Sequence, residues 1–350
     1  MESVIDGIKI AGIATALPSK VVSTDAYADF FGEKKIKRIK RSTGVNEVHV
    51  VTDGMTASDL CEAAAKHLFE ALQVDKSEID AIVFVSISPD YRAPGTAGIL
   101  QGRLGLPQGV IALDLTFGCS GYIYGLFEAG VLIKGGSCRK VLLCTGDTQS
   151  MLVNDKDRSM KMLVGDAGAA TLVEKGNDTS HFYFKTVGNG YQNLIIPAGG
   201  CRLPSSVETR QEKEDEDGNI RRQDDLFMDG MGVMKFSLTE VPLAMDAMYD
   251  MLGCRKEDID LFAYHQPNKM ILDYLSNAMD IPAEKIPVGL QHTGNTASAS
   301  IPMLLSTMAK NGYDFSQLNR TIACGFGIGL SIGAVDIALN KTKILPPIEY

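Results

Sequence analysis

The sequence predicts an α/β fold assembled from two related halves, and three observations carry that expectation. Short apolar stretches alternate with amphipathic ones along the 350 residues, the pattern of buried strands covered by helices. A segment of the first half recurs in the second. Glycine-led helix starts then follow strands at matching places in both halves.

Taken in order, apolar strands are expected at 8–14, 81–87, 110–115 and 140–144, and amphipathic helices at 58–72, 96–104 and 120–134. The stretch Asp75-Lys76-Ser77-Glu78-Ile79-Asp80-Ala81-Ile82-Val83-Phe84 reads like Arg255-Lys256-Glu257-Asp258-Ile259-Asp260-Leu261-Phe262-Ala263-Tyr264, each following a helix and entering a buried strand. A helix closed by Leu106-Pro107 or Ile281-Pro282 comes next, then a strand, then Gly118-Cys119-Ser120-Gly121 or Gly294-Asn295-Thr296-Ala297. The expected division is therefore 1–176 and 177–350. If the halves pack about a pseudo-twofold axis, the two helix starts meet centrally and Cys119 lies near Asn295. Residues 199–225 leave the pattern, with Pro204, paired serines and the acidic run at 212–218. They read as a long exposed loop, either a cover over the site or partly disordered.

With 45% hydrophobic residues the chain can bury a full core. Its start, Met1-Glu2-Ser3-Val4-Ile5-Asp6, lacks the basic and apolar regions of a signal peptide, and no uncharged apolar run reaches bilayer length. A soluble cytoplasmic protein without a membrane segment is expected. The seven cysteines show neither C-x-x-C spacing nor histidines at ligand distance, so reduced thiols and no metal site are expected. A net charge of −9 argues against nucleic acid, whose affinity comes from cations set against phosphates. One basic run interrupts it: Lys34, Lys35, Lys37, Arg38, Lys40 and Arg41, of which 34, 37, 38 and 41 share a helical face. That face is either ordinary solvated surface or a landing site for an anionic ligand or acidic protein.

Cys119 stands at a helix start, where free backbone N–H groups and the helix dipole favour thiolate over thiol. Gly118 and Gly121 leave room for a bulky thioester. The bland alternative is a buried cysteine filling core. His265 follows the strand at 261–264, at the end where α/β sheets place ligands, or is a structural histidine. Asn295 is a polar site residue or an ordinary helix cap. Gly325-Phe326-Gly327-Ile328-Gly329 follows a strand but opens no Rossmann unit, and suits a turn offering N–H groups to an oxyanion.

Phe117-Gly118-Cys119-Ser120-Gly121, His265-Gln266-Pro267-Asn268, Gly294-Asn295-Thr296-Ala297-Ser298-Ala299-Ser300-Ile301-Pro302 and Phe326-Gly327-Ile328-Gly329 resemble, in order and separation, the nucleophile, histidine, asparagine and glycine-loop motifs of ketoacyl-ACP synthase III. The likeness covers nearly the whole chain, including Gly165-Asp166-Ala167-Gly168-Ala169-Ala170. It implies a thiolase-like five-layered αβαβα fold, a homodimer, and CoA thioesters and acyl carrier protein as partners, with no cofactor beyond these substrates. Cys119 would take an acyl group, with its own N–H and that of Ile328 as the oxyanion hole. His265 and Asn295 would bind the thioester carbonyl of a malonyl-carrier as it decarboxylates, and a 3-oxoacyl thioester would result.

The sequence also departs from that family. Arg158 matches an arginine that grips the CoA adenine, but Arg38 stands at the partner tryptophan's place. Met270, beside Lys269, replaces an arginine expected after the histidine motif, and Met231 and Met234 stand near the pantetheine arm. A carrier-borne acyl donor or altered CoA contacts follow, with Arg38, Arg41, Arg158, Asn268 and Lys269 as candidate contacts. Ala93 replaces a bulky aromatic that blocks the partner subunit's acyl pocket, so a longer or branched primer is expected. Competing expectations are a thiolase with Cys324 as base, an acyltransferase to oxygen or nitrogen, and a non-catalytic carrier-binding subunit.

Overall fold

In the computed structural model, which describes all 350 residues, the alternating signals resolve into five layers. The principal strands are β1 (Glu2–Leu17), β2 (Ala81–Val85), β3 (Ile111–Leu115), β4 (Lys140–Asp147), β5 (Ala167–Thr186), β6 (Leu261–Tyr264), β7 (Thr321–Gly327) and β8 (Ser331–Ile337). The principal helices are α1 (Glu33–Thr43), α2 (Ala57–Leu72), α3 (Thr96–Leu104), α4 (Gly121–Lys134), α5 (Gly230–Leu252), α6 (Lys269–Ala278) and α7 (Ser300–Lys310).

The strands lie in the order β6-β7-β8-β5-β4-β2-β3, with β1 alongside β5. The duplication expected from sequence is visible in their sense. β2 runs parallel to β4 and β4 antiparallel to β5, just as β6 runs parallel to β7 and β7 antiparallel to β8. It persists to single atoms. Asp80 Oδ2 accepts from the N–H groups of Arg139 and Lys140 at 2.6 and 3.0 Å, and Asp260 Oδ2 from those of Asn319 and Arg320 at 2.8 and 2.9 Å. The two halves nonetheless share strands. The expected division at 176/177 falls inside β5, whose first part pairs with β4 and whose last part pairs with β8.

Successive strand residues face opposite sides, so a strand buried on both sides reads as an unbroken apolar run. In β2, Val83 and Val85 face inward to α4 and α7, joining Ala263 of β6 and Ala323 of β7 in one central core with Ile123 and Leu304. Ile82 and Phe84 face outward to Leu60, Leu68 and Leu100 of α2 and α3. On the far side, Phe262 and Tyr264 meet Phe236, Met245 and Leu272 of α5 and α6. The central helices α4 and α7 therefore start at the middle of the molecule, one from each half.

Residues 199–225 fold into an ordered covering segment rather than a disordered one. Its tip is a hairpin pairing Lys213–Glu214 with Ile220–Arg221, turned at Gly218 with φ +80°. No helix is long and apolar enough to cross a membrane.

Candidate active site

Cys119 lies in the turn between β3 and α4, two residues before the helix begins and only 8% exposed. Its glycines work differently from the expectation. A methyl on Gly118 would lie 2.7 Å from Ile328 Cγ2, and one on Gly121 would lie 2.6 Å from Val85 Cγ1. They admit neighbouring protein rather than leaving space for a thioester. The loop after β7 is pressed against the nucleophile in the same way, since a methyl on Gly327 would sit 2.8 Å from Cys119 Sγ and its φ of +150° suits glycine.

The backbone N–H groups of Ile328 and of Cys119 itself point at the sulfur and favour its charged form. Burial is the larger effect. It pushes the thiol up to about 11, and the Asp147 carboxylate adds to the rise. The helix start and both N–H groups do favour the thiolate, but desolvation outweighs them and the resting group is a thiol.

His265 sits at the end of β6, held by its N–H to Cys324 O at 2.8 Å and edge-on to Phe326 at 5.6 Å. Its Nδ1 lies 2.6 Å from Ser300 Oγ. Burial pushes its pKa down to about 3, so the ring is neutral. Asn295 is fixed by its backbone: its N–H donates to Leu163 O at 2.8 Å, and its carbonyl accepts from Gly165 N and Gln149 Nε2 at 3.0 and 2.7 Å. Its Oδ1 accepts from Ala297 N at 2.9 Å, which leaves Nδ2 as a free donor. Buried Asp147 ties the halves together beneath these residues, accepting from Ser298 N and Oγ at 3.0 and 2.6 Å and from Ile87 N at 2.8 Å.

Cys119, His265 and Asn295 line one cavity of about 530 Å³. Asn268 lines it too, while its Oδ1 caps α6 by accepting from Ile271 N at 2.8 Å. The hairpin supplies Asp215, Asp217, Asn219 and Arg221, and Met231, Met234 and Met270 complete the apolar lining. Arg221 ties the cover to the body by an ion pair to Asp157 and, at 2.7 Å, braces the hairpin itself through Asp215. Behind the sulfur a recess of about 30 Å³ is closed by Ile87, Met160, Leu194, Leu226, Met228 and Ile328.

Other expected contacts lie elsewhere. Lys269 turns away from the cavity, its ammonium paired with Asp273 and its stem against Gly44. Arg158 lies outside the lining and donates to Asp217 O at 2.7 Å. Arg38 and Arg41 are exposed on α1, away from the cavity wall. Ala93 is exposed and outside the recess, so within this chain it makes no room for a longer primer. Cys324 is fully buried outside the cavity, and burial pushes its pKa far up, which removes its support for thiolase chemistry. Gln149 and the lining residues Ser159, Leu194 and Phe227 carried no motif, and topology alone gathers them; Ser300 stood within the asparagine motif but was given no role.

Two family models match the chain, 3-oxoacyl-[acyl-carrier-protein] synthase III over residues 113–190 and its C-terminal counterpart over 250–339. A putative 3-oxoacyl-[acyl-carrier-protein] synthase 3 of Campylobacter jejuni is 30% identical over 340 residues, covering 95% of this chain and 94% of the relative. A beta-ketoacyl-[acyl-carrier-protein] synthase III of Streptococcus equi is 31% identical over 335 residues, covering 95% and 99%. The crystal structure of a 3-oxoacyl-(acyl-carrier protein) synthase from Burkholderia xenovorans superposes with a TM-score of 0.92 at 35% identity, covering 100% of this chain and 99% of that one. Identity, coverage and fold agree along both halves, and the chain belongs to the 3-oxoacyl-[acyl-carrier-protein] synthase III family of acyl-transferring condensing enzymes.

Proposed function

We propose that Cys119, His265 and Asn295 perform a two-stage condensation. In the first stage the Cys119 thiol loses its proton, its sulfur bonds to the acyl carbon of a thioester donor, and the donor sulfur leaves and is protonated. The N–H groups of Cys119 and Ile328 receive the oxyanion of that step. In the second stage a malonyl-carrier loses carbon dioxide, and the released electron pair enters a thioester enolate. Neutral His265, through Nε2–H, and Asn295, through Nδ2–H, bind the enolate oxygen. The carbanion attacks the acyl carbon, the C–S bond to Cys119 breaks, and the leaving thiolate takes up a proton from water to restore the thiol as the 3-oxoacyl thioester departs.

The observation that carries this reading is the convergence of one nucleophile and two neutral donors, contributed by both halves, on a single cavity. A recess of about 30 Å³, room for about one water-sized group, supports a short primer such as acetyl. Exposed Lys34, Lys35, Lys37, Arg38 and Arg41 have no ion-pair partner, whereas Lys40 pairs with Asp25 at 2.8 Å. Their helix abuts α6, whose first turn borders the cavity, which supports the landing of an acidic carrier. A homodimer is proposed from β3, an edge strand with Ile111 36% exposed, and a reducing cytoplasm from seven unpaired cysteines.

Intact-mass spectrometry tests the roles. Acyl-CoA and acyl-carrier donors acylate the wild-type chain, and Cys119→Ala takes no adduct. His265→Ala and Asn295→Ala still acylate but condense about 10²-fold more slowly or worse, the cost of one oxyanion donor. An adduct on Cys119→Ala, or normal condensation by both other variants, refutes the assignment.

A further inference from the structure

We infer that Ser300 is a positioning residue that holds the His265 imidazole in the tautomer with its proton on Nε2; the inference rests on the condensation reading above. Ser300 is 2% exposed, and its Oγ makes a single hydrogen bond, to His265 Nδ1 at 2.6 Å. Either atom of that pair can be the donor, and the surroundings decide which one is. Ser300 is the first residue of α7. Ser300 continues the tight turn at Ala297–Ala299, where its N–H already donates to Ala297 O, and its Oγ has no hydrogen bond to any carbonyl. The imidazole Nδ1 is then the one acceptor for the hydroxyl proton.

With the hydroxyl donating, Nδ1 presents its lone pair and the ring proton resides on Nε2. The opposite tautomer leaves the serine proton buried and unpaired, and turns a lone pair on Nε2 toward the cavity. A lone pair repels a developing enolate oxygen, whereas an N–H binds it. The serine therefore determines whether His265 can act as a donor, although it touches no substrate. Its place in the chain follows from the fold: α7 begins between the sheets, and β6 ends beside its first turn.

Two measurements test this. The wild-type chain labelled with ¹⁵N-histidine, its signals assigned against His265→Gln, is expected to show a neutral ring protonated at Nε2. Ser300→Ala is expected to lower kcat of condensation about tenfold or more, with KM for malonyl-carrier and the rate of Cys119 acylation changed by less than about twofold. A wild-type ring protonated at Nδ1 overturns the inference, as does a folded Ser300→Ala chain that condenses at the wild-type rate. Should Ser300→Ala fail to fold, the wild-type spectrum alone decides. The spectrum requires no turnover, so a protein that fails to decarboxylate malonyl-carrier refutes the condensation reading without touching the tautomer result.

Discussion

Gly118→Ala tests whether the close fit between the two loops sets the rate of acylation. The added methyl would lie 2.7 Å from Ile328 Cγ2, whereas carbon atoms settle at about 3.5–4.0 Å, so the loop after β7 must retreat by about 1 Å. The Ile328 N–H moves with it. A misplacement of about 1 Å costs about 10²-fold in rate, and full loss of one oxyanion donor about 10²–10³-fold. Rapid quenching with intact-mass detection of acyl-Cys119 is therefore expected to show a fall of about 10²-fold. The overpacking costs about 1–3 kcal/mol, a modest drop in Tm rather than unfolding. Ile328→Ala in the same chain removes Cγ2 but keeps the N–H, so the double variant should recover most of the acylation rate. Wild-type acylation by Gly118→Ala, or a double variant as slow as the single one, would refute the reasoning.

With the Cys119 thiol pushed up to about 11, thiolate at pH 8 amounts to about one part in a thousand, and alkylation by iodoacetamide should rise about tenfold per pH unit from 7 to 10. A plateau near pH 8 would show that the N–H groups outweigh burial. Leu226→Ala and Met160→Ala should widen the recess and extend acylation to four- and five-carbon donors; an unchanged donor profile in the mass assay would place the acyl chain elsewhere. Reversing Lys34, Lys37 and Arg38 to glutamate should raise KM for a carrier-borne substrate and weaken its salt dependence, with little effect on a pantetheine substrate. Equal losses on both substrates would end the docking idea.

The core-forming elements were legible because a strand buried on both faces shows as an uninterrupted apolar run. Strands at 81–87 and 140–144 and helices at 58–72 and 96–104 recur within a few residues as β2, β4, α2 and α3. The strand expected at 8–14 extends to Glu2–Leu17, because its outer part alternates exposed and buried residues and is held by pairing with β5. Local pattern cannot report such a long-range partner. At the site, Cys119, His265 and Asn295 were legible through motifs around them, and the glycine loop through its spacing. The thiol's charge state was not, since burial is a property of the whole fold. Lys269 and Met270 illustrate another limit: adjacent on α6, they project about 100° apart, and only the packing of α1 reveals which one faces the cavity.

The shared strands have a consequence for how the chain reaches this state. β1 pairs along its length with β5, so Glu2 meets Tyr183 about 180 residues later, and Gly12 also meets Lys343, about 330 residues later. Contacts this distant close large loops before they return any stability, which makes folding slow. Until β5 is made, β1 is an unpaired edge with apolar residues along it, a surface that invites aggregation. A fragment cut at 176/177 keeps that liability, because the partners of Glu2 to Asp6 lie beyond the cut. The duplication that supplied two helix starts to one cavity has therefore left each half short of strand partners that the other provides.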